Sequence, residues 1–114
     1  MFEIKGKDIY LTRGDTFRAQ VGLQYKDGGE YTPVTGDRIR FALKRRYNDN
    51  FPVFIKEIAI GDLILQIDPE DTKRLNFGEY VYDIEITFAN GDVDTFIGKD
   101  PMSPARFFLV EEVD

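Results

Sequence analysis

The 21 Asp and Glu residues and 15 Lys and Arg residues carry nearly all the acid, base and ligand chemistry open to this 114-residue chain, because it contains neither His nor Cys. That absence removes disulfides, the usual zinc sites, the Ser-His and Cys-His nucleophile pairs and the commonest general base. Two acidic groups remain to be weighed. Asp68, Glu70 and Asp71 lie in one run, and Asp92 with Asp94 in another, but calcium needs six to eight oxygen ligands and neither group has an EF-hand spacing. A pair of carboxylates suffices for glycoside hydrolysis, yet a short chain with no Trp and no His offers little to build a sugar cleft. Arg38, Arg40, Lys44, Arg45 and Arg46 form the one basic cluster, which suits phosphate or an acidic partner. The formal net charge of -6 opposes a sequence-independent grip on nucleic acid. The sequence therefore predicts no enzyme, no catalytic residue, no cofactor, no metal site and no small-molecule substrate.

Arg13-Gly14-Asp15 matches a tripeptide read by integrins from exposed loop tips. A three-residue match is frequent by chance, and Gly and Asp are also the residues a turn into a strand requires. The turn is the reading adopted. Likewise, Arg38, Arg40 and Lys44 have a structural use as cross-strand partners of Glu79, Asp83 and Glu85.

These residues need elements to hold them, and the longest readable element begins after Leu75. Tyr80, Tyr82, Ile84, Ile86 and Phe88 alternate with Glu79, Val81, Asp83, Glu85 and Thr87, the period of two that puts one strand face in a core. Asn90-Gly91 follows, a dipeptide that favours a two-residue type I′ hairpin. Pairing Ala89 with Asp92 then sets Phe88 beside Val93, Ile86 beside Thr95 and Ile84 beside Ile97. A clean alternation from Phe17 to Tyr25 and another through Ile39, Phe41 and Leu43 predict two more strands. Phe2 to Leu11 reads as two short pieces split at Gly6-Lys7-Asp8, where an edge strand bends or switches sheets. Asp27 to Asp37 reads as loop. Phe54, Ile58 and Ile60 lead to Gly61-Asp62 and then to Leu63, Leu65 and Ile67, a predicted hairpin in which Lys56 marks an edge or a bulge. Asp68 caps a short helix that opens with Pro69 and two acids. Gly98, Pro101 and Pro104 precede a last extended piece, Arg106 to Val113.

The sum is one domain spanning 1-114, an all-β antiparallel sandwich of seven or eight strands with one helical turn in the crossover before the sixth main strand. One chain of this length buries roughly two thirds of its unfolded surface. No apolar run approaches the ~20 residues a membrane span requires, and Met1 to Lys5 lacks the features of a signal peptide, so synthesis in a cytoplasm is expected.

Asn76-Phe77-Gly78-Glu79-Tyr80-Val81-Tyr82 resembles the tyrosine-corner segment of immunoglobulin-like domains, in which Gly78 permits the corner and the Tyr80 hydroxyl bonds backward to the crossover. Tyr82 stands where antibody domains carry cysteine. A wider likeness runs through Ile9 to Phe17, Thr35 to Leu43 and Gly78 to Ile84. These segments resemble small proteins of tailed-phage and prophage structural gene clusters, and among named families the amino-terminal immunoglobulin-like domain of baseplate upper proteins. The resemblance implies a virion tail or baseplate component that works through contacts with other virion proteins or with itself. The alternative from another class is a non-viral ligand-binding or carbohydrate-binding module. Phe107, Phe108 and Val110 are the candidate contact residues, because apolar side chains occupy both faces of that extended piece. Gly78, Tyr80, Asn90 and Gly91 are the structural candidates.

Overall fold

Period-two alternation becomes strand over most of the segments that carry it. The computed structural model describes residues 2–5, 7–24, 29–97 and 104–111. Its strands are β1 (Phe2–Lys5), β2 (Asp8–Thr12), β3 (Phe17–Gln20), β4 (Arg38–Lys44), β5 (Phe54–Ile58), β6 (Ile64–Ile67), β7 (Gly78–Thr87), β8 (Val93–Ile97) and β9 (Ala105–Val110), with a single helical turn, α1 (Pro69–Thr72), between β6 and β7. The protein is an all-β sandwich. One sheet runs β1-β2-β9-β7-β4-β5 with β8 also on β7, and the other contains only β3 and β6. Because β4 occupies one side of β7, β8 and β9 follow one another along its opposite side, opposite Ile84 to Thr87 and Gly78 to Tyr82 respectively. The third main strand pairs with the sixth, β4 with β7, as an immunoglobulin-like order requires.

Phe17, Leu11, Ile39, Phe41, Leu43, Ile67, Ile86, Phe107 and Leu109 fill the space between the sheets. Phe41 stands among rings, with centroids 5.2 Å from Tyr82, 6.0 Å from Phe54 and 6.4 Å from Phe107. The helical turn forms where expected. Asp71 accepts the Asp68 N–H at 2.8 Å, and the Asp68 carboxylate takes Gln66 Nε2 at 2.8 Å and Lys56 Nζ at 3.3 Å.

Four expectations change. The large sheet is mixed rather than purely antiparallel, because β2 returns from its hairpin with β1 to run parallel to β9, Ile9 opposite Phe107 and Leu11 opposite Leu109. The predicted hairpin around Gly61-Asp62 does not form. Leu63 adopts a positive φ of 56° and bonds back to the Ala59 carbonyl at 2.9 Å, and this tight reversal sends β5 to the edge of the large sheet and β6 to the small one. Lys56 does mark an edge strand, and β5 pairs with β4 without a bulge. The expected strand from Phe17 ends at Gln20, although Val21 and Leu23 are still buried, and Tyr25 lies outside the described residues.

The fourth change is at Asn90-Gly91. Gly91 alone takes a positive φ, 94°, while its N–H bonds Phe88 O at 2.8 Å and Phe88 N–H bonds Asp92 O at 2.7 Å. The loop therefore holds three residues, Ala89 to Gly91, in place of a two-residue type I′ turn. Val93 falls opposite Thr87 and Thr95 opposite Glu85, and an irregularity at Ile84/Glu85 restores Ile84 opposite Ile97. The slip brings Phe96 against the core and leaves Val93 58% exposed.

Candidate contact surface

β9 supplies the three contact candidates, and the structure separates them. Phe107 is fully buried and belongs to the core, so it is no contact residue. Phe108 faces outward but lies flat on Tyr10, with ring centroids 4.5 Å apart and planes 9° apart. Val110 is 39% exposed, and its carbonyl accepts the Arg13 N–H at 3.0 Å. Nor is this segment a sheet edge. β2 pairs along one side of β9 and β7 along the other, so its backbone groups are already engaged. The far end of the segment, Val113, lies outside the described residues.

Gly78 and Tyr80 form the predicted corner. Gly78 enters β7 at φ 139°, a region that disfavours a side chain. The Tyr80 ring is buried, and its hydroxyl donates to the Asn76 carbonyl at 2.7 Å. Tyr80→Phe is expected to lower the unfolding free energy by about 1 kcal/mol, because a backbone acceptor loses its donor. Urea denaturation checks this, and an unchanged midpoint would show that the bond adds nothing.

Tyr82, in the position of the antibody cysteine, is buried and donates to the Lys7 carbonyl at the β1–β2 turn. Burial, with a smaller push from the Asp8 charge, raises its phenol to about 12. The folded state holds the proton more tightly than the unfolded chain, whose tyrosines titrate near 10. Stability is thus intact below pH 10 and drains as pH rises toward 12, by about 1.4 kcal/mol per pH unit from this group. Tyr82→Phe should flatten that part of the pH–stability curve. Melting curves of both proteins from pH 9 to 12 give the comparison, and parallel losses would refute the assignment.

Two members of the basic cluster, Arg38 and Arg40, enter ion pairs on the outer face of the large sheet, while Arg45 and Arg46 lie exposed in the loop after β4. Arg40 reaches Glu85 at 3.0 Å, as expected of a cross-strand pair. Arg38 turns sideways instead, to Glu57 on β5, and Arg106 lies 3.8 Å from Glu79. Lys44 neighbours Asp83, whose carboxyl burial pushes upward while the Lys44 charge opposes the shift. From β5 of the same sheet, opposite Phe41, Lys56 bridges Asp68 and Asp71, at 3.3 and 2.8 Å. The acidic run after Ile67 is therefore occupied by capping and by a lysine. Asp92 and Asn90 exchange local bonds in the hairpin loop, Asp92 N–H to Asn90 Oδ1 at 2.9 Å.

Arg13-Gly14-Asp15 is a turn. Asp15 N–H closes on the Thr12 carbonyl at 3.1 Å, Gly14 takes φ 91°, and the Arg13 guanidinium sits 4.2 Å from the Phe77 ring centroid. An arginine so held is not presented at a loop tip.

One polar centre escaped the sequence reading. Asp37, in the loop before β4, is buried and accepts from the Tyr31 hydroxyl, from Val34 N–H at 3.0 Å and from Ala89 N–H at 3.0 Å. It pins that loop to the β7–β8 turn. The Tyr31 hydroxyl above all, and then the two backbone donors, hold its carboxyl below the usual carboxylate range. Gly36 beside it (φ 100°) is required, since an added Cβ would lie 2.8 Å from Ala89 Cβ. The signal available in sequence was Gly36-Asp37 ahead of a strand, which reads only as a turn.

Among the described residues eight large apolar side chains are exposed, and four of them lie at one end of the sandwich. The pairing of Lys44 with Val81 and of Gly78 with Leu109 puts the close of β4, the start of β7 and the close of β9 at that end. There Phe51 is 84% exposed, Phe77 42%, Val110 39% and Tyr47 38%. Among the described residues, no cluster of three or more acidic side chains is arranged to hold a metal ion, and no helix is long and apolar enough to cross a membrane. Comparison with family models, with curated proteins and with solved structures returned no match to this chain.

Proposed function

We propose that this domain is a non-enzymatic structural or assembly component of a phage or prophage virion, in the tail or baseplate, acting through protein–protein contact. The observation that carries the contact reading is the end of the sandwich bearing Phe51, Phe77, Val110 and Tyr47, since gathered apolar exposure on a small domain marks a contact site. The virion setting rests on the resemblance of Ile9 to Phe17, Thr35 to Leu43 and Gly78 to Ile84 to tail-cluster proteins. A carbohydrate-binding module has less support. Sugar binding uses several free aromatic faces together, and here Arg13 lies over one face of Phe77 and Tyr10 over Phe108, which leaves Phe51 as the most exposed ring.

The test is binding to the purified products of neighbouring genes, with Phe51→Asp and Val110→Asp as variants. Both positions are exposed, so each variant should keep its melting temperature to within a few degrees. At least one should weaken a virion-protein complex tenfold or more. The proposal is overturned if no neighbouring product binds, or if both variants bind as the wild type does.

A further inference from the structure

The two ends of the sandwich differ in charge. Pairing of Ile39 with Ile58, of Arg38 with Thr87 and of Thr87 with Val93 brings the starts of β4 and β8 and the closes of β5 and β7 to the end opposite Phe51. Val34 and Val93 lie there, each 58% exposed. Asp37 holds Val34 in that place, because its carboxylate accepts both the Val34 and the Ala89 N–H. At the same end Glu30, Asp62, Asp92 and Asp94 are exposed, and none enters an ion pair among the described residues. The nearest cation of β4, Arg38, is already held by Glu57.

The Phe51 end carries the other sign. The segment after α1 reaches it through two bonds, Gly14 N–H to the Thr72 hydroxyl and the Arg13 guanidinium to the Leu75 carbonyl. Arg45, Arg46, Lys73 and Arg74 are exposed at this end, and no ion pair engages them among the described residues. Glu70 and Glu111 are the exposed acids that oppose them there, since Asp71 is engaged by Lys56, Glu79 faces Arg106, and Asp15 and Asp49 are half-buried in their turns.

The dimensions suit contact through the ends. Six strands abreast cover about 24 Å and two packed sheets are about 10 Å apart, so of the extents of 46, 29 and 25 Å the longest runs along the strands. An end of 29 by 25 Å offers roughly 700 Å², close to the ~800 Å² per partner of a standard specific interface. We propose that copies of this chain associate head to tail along the strand axis, the basic Phe51 end of one seated on the acidic Val34 and Val93 end of the next. Opposite charges orient that contact, whereas either end set against itself brings an excess of like charges face to face. The contact is heterologous. Each copy in it still has one free end, so growth continues until a ring closes or a filament forms.

This inference rests on the reading of the domain as a contact module and names a second copy as the partner of its Phe51 end. Sedimentation of the full chain at rising concentration should show species that grow without a fixed stoichiometry. Phe51→Asp and Val93→Asp should each leave a monomer that melts within a few degrees of the wild type, since every contact needs one end of each kind. An equimolar mixture of these two variants should form a heterodimer and nothing larger, because each keeps the end that the other has lost. Arg45→Glu with Arg46→Glu should weaken self-association about tenfold, and adding Asp92→Lys with Asp94→Lys should restore it. A wild type that stays monomeric at millimolar concentration overturns the stack. So does a mixture that remains monomeric, a Val93→Asp variant that still assembles, or a fourfold charge swap no better than the double one. Binding of neighbouring gene products is read separately. A monomeric chain that binds a neighbour through Phe51 refutes the stack and keeps the contact function, while a stack that forms with no neighbour bound does the reverse.

Discussion

Phe107→Ala should cost about 4 kcal/mol of folding stability, whereas Phe108→Ala, one residue along the same strand, should cost about 1 kcal/mol. The contrast follows from burial. Phe107 is fully enclosed, with its ring centroid 6.4 Å from that of Phe41 at the centre of the core, and truncation leaves a cavity that the paired strands on either side cannot collapse into. Phe108 is half-buried on the outer face, and its loss removes mainly the stack with Tyr10. Urea denaturation of both variants gives the comparison. Equal costs would mean that the outer face of β9 is as enclosed as the inner, and that the division between core and surface drawn here is wrong.

Asp37→Ala should lower the melting temperature by roughly 10 °C, the largest fall expected from any single polar substitution in this domain. Three donors converge on this one carboxylate, and two of them are backbone groups that nothing else in the loop can satisfy. Asp37→Asn should recover little of the loss. An amide offers one acceptor oxygen, while the donors approach both, with Tyr31 and Val34 on Oδ2 and Ala89 on Oδ1. The pH dependence has a definite sign. Because the folded carboxyl lies below its ordinary value of 3.8, its stabilisation is present above that value and is lost as pH falls through the lower folded pKa. Wild type should therefore lose stability below about pH 4 more steeply than Asp37→Ala does. Melting curves at pH 7 and across pH 2 to 5 check both statements. A full recovery in Asp37→Asn would show that the charge and the second oxygen contribute nothing.

Local chemistry was legible wherever a residue's role depends on its neighbours along the chain. The alternation from Tyr80 to Thr87 is strand because a period of two has only one backbone solution, and Asp68-Pro69 starts a helical turn because Pro at the first position loses no hydrogen bond. The backward bond of the Tyr80 hydroxyl to the crossover was implied by the likeness to a tyrosine corner, and the structure places its acceptor at Asn76, four residues earlier. Other assignments were decided by partners distant in sequence. Arg106 to Val110 has apolar residues on both faces, so nothing within it distinguishes a sheet edge from a strand enclosed on both sides; the return of β2, almost 100 residues earlier, settles that β9 is enclosed. Gly61-Asp62 looks like a hairpin turn, but Leu63 at positive φ sends β5 and β6 into different sheets, where each meets a better apolar partner in β4 and β3. Asp37 looks like a loop residue until Ala89, 52 positions away, brings its N–H to it. Side-chain alternation is a property of one strand, and it specifies which residues face a core; which strand lies alongside, and hence which edge stays open, is a sum of non-local contacts that only the packed sandwich evaluates.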